Sequence, residues 1–300
     1  MVNDPRLPNF FVIGVSKSGT TSLYDVLKQH PQIALSTVKE PSFFTNDEYY
    51  EKGLEWYLSS QFPNADGVAA RGEMTPRYLY WGKKAVPRIR EACGEQLRFI
   101  AVFREPAARA YSHYWHGVRL GVEPLSFEEA LNQEEDRLRT NPEMFDRQGK
   151  LMWLYYRAGL YAEQLPVYFN AFPRASFLFF LSEDFRKDFQ GSMHRIYEFL
   201  QVDPQFVARP AESNTSSMPR SRNFDNVVNK PAWYKNILKF FIPEAMRRRV
   251  RRQLNHMNQV DFQYPPMKPE TKAMLREKYR PSIRQLETIL QRDLSHWTKE

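Results

Sequence analysis

Phe10-Phe-Val-Ile-Gly-Val-Ser-Lys-Ser-Gly-Thr-Thr-Ser-Leu23 decides how the rest of the chain is read. Its apolar start, Phe10–Ile13, is the short continuous run that a strand buried on both faces requires. A Gly/Ser/Lys loop follows, and the pattern over Thr20–Gln29 predicts a helix. A strand, a tight loop and a helix N-terminus aim backbone N–H groups, a helix dipole and the Lys17 ammonium at one point, which suits a phosphate. The usual nucleotide-binding loop, G-x-x-x-x-G-K-[ST], places Lys directly after its second Gly and a magnesium-binding hydroxyl next. Here Lys17 precedes the second glycine, Gly19, by two positions, and Thr20, Thr21 and Ser22 follow. Taken alone, the stretch is a phosphate cradle or a strand-to-helix turn whose Gly and Ser cap the helix.

Further strands are predicted at Gln32–Leu35, Val68–Gly72, Leu97–Phe103 and Ser176–Leu181. Helical patterns lie near Lys83–Ala92, Ala107–Arg119 and Leu151–Ala171, then at Gln190–Leu200, Ala232–Met257 and Glu270–Leu290, the last with a bend expected at Pro281. This alternation predicts an α/β fold: a central, mostly parallel sheet flanked by helices, with a helical C-terminal part, in a single domain over residues 1–300. In such sheets ligands collect beyond the C-terminal strand ends. Lys17, Lys39 with Glu40, Glu73 with Thr75, Arg104, and Ser182 with Glu183 and Asp184 follow the five strands in turn. Parallel strands would bring all of them to one edge.

The fourth strand runs into Arg104-Glu-Pro-Ala-Ala-Arg-Ala-Tyr-Ser112. Arg104 offers a planar fork of donors to phosphate oxygens. Ser112, two helical turns on, adds a hydroxyl, and Pro106 suits the first turn between them.

At 300 residues with 42% apolar composition, the chain can build one large core. Its net charge of +8 fits an anionic ligand or nucleic acid. No nucleic-acid-binding motif gathers that charge, which argues against the second. A P-loop kinase or NTPase is the other alternative; the displaced Lys17 and the basic end of the fourth strand argue against it. No ligand-spaced Cys/His cluster points to a metal. Cys93 is the only cysteine, so no intrachain disulfide forms. No apolar leader opens the sequence and no run reaches the ~18 residues of a membrane span, so a cytoplasmic protein is expected. The aromatic and basic stretch from Trp233 to Arg252 admits peripheral membrane contact or a solvated helix face.

The loop residues Gly14, Lys17, Ser18, Gly19, Thr20, Thr21 and Leu23 match a pattern, G-x-x-K-[SA]-G-[TS]-[TS]-x-L, that resembles the 5′-phosphosulfate loop of sulfotransferases using 3′-phosphoadenosine 5′-phosphosulfate (PAPS). Arg104 to Ser112 resembles that family's 3′-phosphate motif, R-x-P-x-x-R-x-x-S. Gly159–Leu165, Leu181–Phe185 and Tyr264–Lys272 extend the resemblance over about residues 9 to 297. Lys39-Glu40-Pro-Ser-Phe-Phe44 fits the glycan-sulfotransferase branch, Golgi and bacterial, better than the phenol and steroid branch. The resemblance implies a P-loop-containing nucleotide-binding fold and metal-free, in-line sulfonate transfer that leaves adenosine 3′,5′-bisphosphate. It further implies that Ser16, Ser18, Gly19, Thr20, Thr21 and Ser22 hold the 5′-phosphate and Lys17 stabilises the leaving group. Arg104 and Ser112 would take the 3′-phosphate, with Arg220 and Arg222 of the polar stretch Arg209–Asn229 closing over it. Glu40 would be the general base, and Lys39 would contact donor or acceptor. His116, one turn after Ser112, is a second base, an acceptor-binding donor or a helix-face histidine. The acceptor is expected to be a small molecule or carbohydrate, bound by loops near 43–61, 121–149 and 209–229.

Overall fold

Phe10–Gly14 (β1) is buried at every position, as an apolar run must be when both faces of a sheet are covered. The computed structural model describes residues 4–140, 153–211, 217–219, 259–261 and 263–299. After β1 come α1 (Thr20–Leu27), β2 (Ile33–Leu35), α2 (Asp47–Glu51), α3 (Gly53–Gln61), β3 (Ala70–Met74), α4 (Gly82–Cys93), β4 (Arg98–Phe103) and α5 (Pro106–Leu120). Then follow α6 (Phe127–Asn132), α7 (Glu134–Thr140), α8 (Tyr161–Gln164), α9 (Pro166–Phe169), β5 (Phe177–Leu181), α10 (Asp184–Lys187) and α11 (Phe189–Leu200). The short strands β6 (Ser217–Pro219) and β7 (Gln259–Asp261) precede α12 (Pro269–Leu290), which continues through Pro281.

The chain divides into two compact units. The first comprises Met1–Tyr114, Leu125–Glu212 and Met267–Glu300. It holds a five-stranded sheet in the order β2-β3-β1-β4-β5, with every pairing parallel. From β1 the chain winds to β2 and β3 on one side, then crosses to β4 and β5 on the other. The winding reverses between β1 and β4, so the loops after these two strands open at the place where such sheets bind ligands. Alternation along β1 serves two layers. Phe10 and Val12 join Leu23, Leu27, Ile100, Phe180, Met193 and Ile196 in the core under α1 and α11. Phe11 faces the opposite layer, stacking with Phe99 at 5.9 Å and meeting Phe44 edge-on at 5.8 Å.

The second unit comprises Trp115–Pro124 and Ser213–Pro266. It contains the antiparallel pair β6–β7 and a stack of Trp115 on Tyr264 with ring centres 5.9 Å apart. Arg220, Arg222, the basic run at Arg247–Arg252 and the helix expected over Ala232–Met257 lie outside the described residues.

Three elements differ from the sequence expectation. The third strand begins two residues later and runs through Met74, so Glu73 lies within it, opposite Phe11. The helix expected over Leu151–Ala171 is, in its described part, a 3-10 turn followed by the short helices α8 and α9. The Glu134 carboxylate accepts the N–H groups of Tyr155, Tyr156 and Arg157 at 2.7–2.8 Å, and Pro166 begins a new turn at α9. The stretch 43–61, expected as an acceptor loop, contains α2 and α3. It is anchored by Phe43, which is buried and stacked on Tyr57 at 4.3 Å.

Candidate active site

The loop after β1 turns on two left-handed residues, Lys17 with φ 75° and Gly19 with φ 90°. Val15 donates its N–H to the Val102 carbonyl of β4 at 3.0 Å, and Ser18 donates to Val15 O at 3.3 Å. Gly19 occupies the N-cap of α1, whose first turn has no side-chain cap and no acidic residue. The first N–H groups of that helix are therefore open to an anion. Ser18 in the loop and Thr20 at the start of α1 are buried, and Ser18 Oγ has no hydrogen-bond partner among the described residues. An orphaned hydroxyl beside an uncapped helix start fits a phosphate oxygen.

Arg104 follows β4 and reaches back across the sheet's switch point. It donates from Nη1 to the Lys17 carbonyl at 2.8 Å, while its own carbonyl accepts the Tyr161 hydroxyl at 2.9 Å. Ser112 stands half-buried on α5, two turns beyond. Glu105 Oε2 accepts the N–H of Ala108 at 2.6 Å and so closes the first turn of that helix. The intervening Arg109 is fully buried and serves the backbone, donating to the carbonyls of Tyr155 and Leu154. His113 is buried beside it, its Nδ1 3.3 Å from Leu154 O. His116 lies in the second unit, where Arg119 Nη2 sits 2.9 Å from its Nδ1.

Beyond β2 the chain carries Glu40 in a left-handed conformation, φ 61°. Lys39 Nζ donates to Glu40 Oε1 at 2.6 Å, and Arg77 Nη2 donates to Oε2 at 3.0 Å. Burial works against the Glu40 charge, but Lys39 and Arg77 outweigh it and hold the carboxyl below the ordinary range. Arg77 belongs to a 3-10 turn, Pro76–Tyr78, just past β3. That turn is fixed to β1, since Leu79 donates its N–H to Ile13 O at 2.8 Å. The absence of a side chain at Gly14 lets Leu79 pack there: a Cβ would meet Leu79 Cδ2 at 3.0 Å. Glu40, Arg77, Leu79 and the loop after β1 thus form one connected edge.

Two strand ends do not contribute open groups. Glu73 is fully buried; its Oε1 accepts Thr75 Oγ1 at 2.6 Å and its Oε2 accepts the Tyr57 hydroxyl. Burial raises its carboxyl above the ordinary range despite these donors. Glu183 and Asp184 instead hold the C-terminal segment. Glu183 Oε1 lies 2.9 Å from His296 Nε2 and accepts Trp297 Nε1 at 3.1 Å. Asp184 takes both arms of the Arg292 fork at 2.6 and 2.5 Å. Arg77, which the sequence reading passed over, follows Thr75 by two residues. The signal was the same strand end, read two residues too short.

A parallel sheet with an uncapped loop-to-helix anion site, an arginine from the neighbouring strand and a paired carboxylate defines a group-transfer enzyme of the P-loop-like fold. Residues 7–286 match the family model described as "Sulfotransferase domain", and the chain belongs to the sulfotransferase family. It is 31% identical over 201 residues to human heparan sulfate glucosamine 3-O-sulfotransferase 6, a match covering 65% of this chain and 52% of that protein. It is 28% identical over 220 residues to the Drosophila melanogaster bifunctional heparan sulfate N-deacetylase/N-sulfotransferase, covering 67% and 20%. The chain thus spans about half or less of the length of these relatives. A solved sulfotransferase from Alicyclobacillus acidocaldarius superposes with a TM-score of 0.69 at 25% identity, covering 97% of this chain and 99% of that one. Among the described residues no helix is long and apolar enough to cross a membrane.

Proposed function

We propose that the protein transfers a sulfonate group from PAPS to a hydroxyl or amine of a carbohydrate or related small acceptor, with Glu40 as general base. The observation that carries this is the Glu40 carboxylate, held ionised between Lys39 and Arg77 on the edge that bears the Lys17 loop. PAPS supplies the sulfonate and a phosphate leaving group. The α1 N-terminus, Ser16, Ser18, Thr20, Thr21 and Ser22 hold its 5′-phosphate, and Lys17 offsets the charge that grows there as the S–O bond breaks. Arg104 and Ser112 take the 3′-phosphate, with Arg220 and Arg222 as further candidates. Glu40 accepts the proton that the attacking oxygen or nitrogen loses, and Lys39 orients the acceptor or the donor. The names of the heparan sulfate relatives favour a sugar acceptor. The single cysteine, Cys93, favours a reducing compartment such as the cytoplasm.

The test is a panel of heparan sulfate oligosaccharides, simple sugars and phenols incubated with PAPS, read by the mass gain of one sulfonate. Glu40→Gln should lower turnover by ~10²-fold or more while adenosine 3′,5′-bisphosphate affinity is kept. Lys17→Ala should lower turnover by at least ~10²-fold. Full activity in Glu40→Gln would remove Glu40 as the base and turn attention to His116.

A further inference from the structure

We propose that Arg77 is a positioning residue for Glu40: its guanidinium fixes the Oε2 edge of the carboxylate and leaves the Oε1 edge to take the acceptor's proton. The proposal rests on the reading of Glu40 as the base. The Arg77 side chain is only 4% exposed, against 22% for Lys39 and 29% for Glu40. Burying a guanidinium is costly unless it is well paired. Yet the side chain's one hydrogen bond among the described residues goes to Glu40 Oε2, and its Nη1 is buried without a partner. The other carboxylate near it, Glu73, is sealed on both oxygens by Thr75 and Tyr57. The hydrogen-bonded partner of this buried cation is Glu40.

Lys39 cannot do the same work. It is the chain neighbour of Glu40 and moves with it, so it sets no orientation relative to the sheet. Arg77 is anchored independently. Its turn is closed by Tyr78 N donating to Thr75 O at 3.0 Å. The same turn is braced by the Tyr168 hydroxyl donating to Tyr78 O at 2.7 Å. Glu40 meanwhile sits in a left-handed backbone that costs energy for a residue with a side chain, a kind of strain that collects at functional sites. The Arg77–Glu40 bond therefore ties a strained loop to the turn after β3. Each carboxylate oxygen has a second lone pair, and the Oε1 edge, shared with the more exposed Lys39, is the one an acceptor can approach. The charged groups facing Glu40 are Lys39 from its own loop and Arg77 from the turn after β3, with Glu73 behind Arg77.

The experiment is a carboxyl-carbon NMR titration of the full chain labelled at glutamate, with Glu40 assigned by its absence in Glu40→Gln. Arg77→Met and Arg77→Gln should raise the Glu40 midpoint by about one pH unit or more, and Arg77→Lys should bring it part of the way back. Adenosine 3′,5′-bisphosphate affinity, measured by calorimetry, should stay within about twofold of wild type. Should the neutral variants not fold, the wild-type protein still reads the pairing, because the Arg77 guanidinium nitrogen signals should shift through the Glu40 midpoint. An unmoved Glu40 midpoint in the variants, or unmoved Arg77 signals, would overturn the proposal. An active Glu40→Gln would instead remove the catalytic reading and leave the pairing intact, so the two failures are distinct.

Discussion

Lys17 and Gly19 share one backbone requirement for different reasons. Both take positive φ, which costs any residue with a Cβ roughly 1 kcal/mol. Gly19 meets it freely, and Lys17 bears it in the loop to which we assign the donor phosphate, a pattern common in functional loops. A Cβ at Gly19 would touch nothing within 4 Å, so Gly19→Ala isolates the backbone term. It should lower unfolding free energy by about 1 kcal/mol in denaturant titration, with an unchanged m value. At this scale the sequence showed which polar residues stand at strand ends: the loop lysine, Arg104 and the Lys39–Glu40 pair all lie there. It was not readable where a partner lies far along the chain. Arg77 pairs with Glu40 across 37 residues, and the seal on Glu73 comes from Tyr57, 16 residues away. No local pattern encodes such pairings.

At the scale of elements, hydrophobic period placed the five strands, the third two residues early, and among the described residues the helices α4, α5, α11 and α12, because each buries an apolar face. It failed over 153–171, where a helical pattern of apolar residues is overridden by tertiary hydrogen bonds. There the carboxylate of Glu134 collects three N–H groups. Gly159 makes room for Tyr279 of α12, since a Cβ there would lie 2.7 Å from its hydroxyl. The polar residues after β5 were visible, but their use was not: they clamp the C-terminus. Burial opposes ionisation of Asp184, but the Arg292 fork and the Leu181 N–H prevail and depress its carboxyl below the ordinary range. A depressed carboxylate contributes its stability in full above the unfolded value and loses it as pH falls through the folded one. Arg292→Ala should thus lower the melting temperature by about 1–3 °C at neutral pH. The gap to wild type should close as the pH is taken below the depressed Asp184 value, a trend that differential scanning calorimetry can follow. An equal gap at all pH values would show that Arg292 acts through packing alone.

For the whole molecule, the strand order places the reversal of winding between β1 and β4. The loop after β1 and the arginine after β4, to which we assign the 5′- and 3′-phosphates, therefore meet, with Arg104 donating to the Lys17 carbonyl. The net charge of +8 suits a donor that carries several negative charges, but charge alone would equally suit a nucleic acid or a nucleoside triphosphate with its metal. What separates these partners is whether two phosphates on one nucleotide are recognised without magnesium. The most direct measurement is thermal unfolding of the full chain in EDTA with adenosine 3′,5′-bisphosphate, beside ATP–magnesium and duplex DNA without chelator. The bisphosphate should raise the melting temperature in EDTA, with a stabilisation of about 2.7 kcal/mol once its concentration reaches about a hundred times its dissociation constant. A rise with ATP–magnesium or DNA, and none with the bisphosphate, would contradict the assignment.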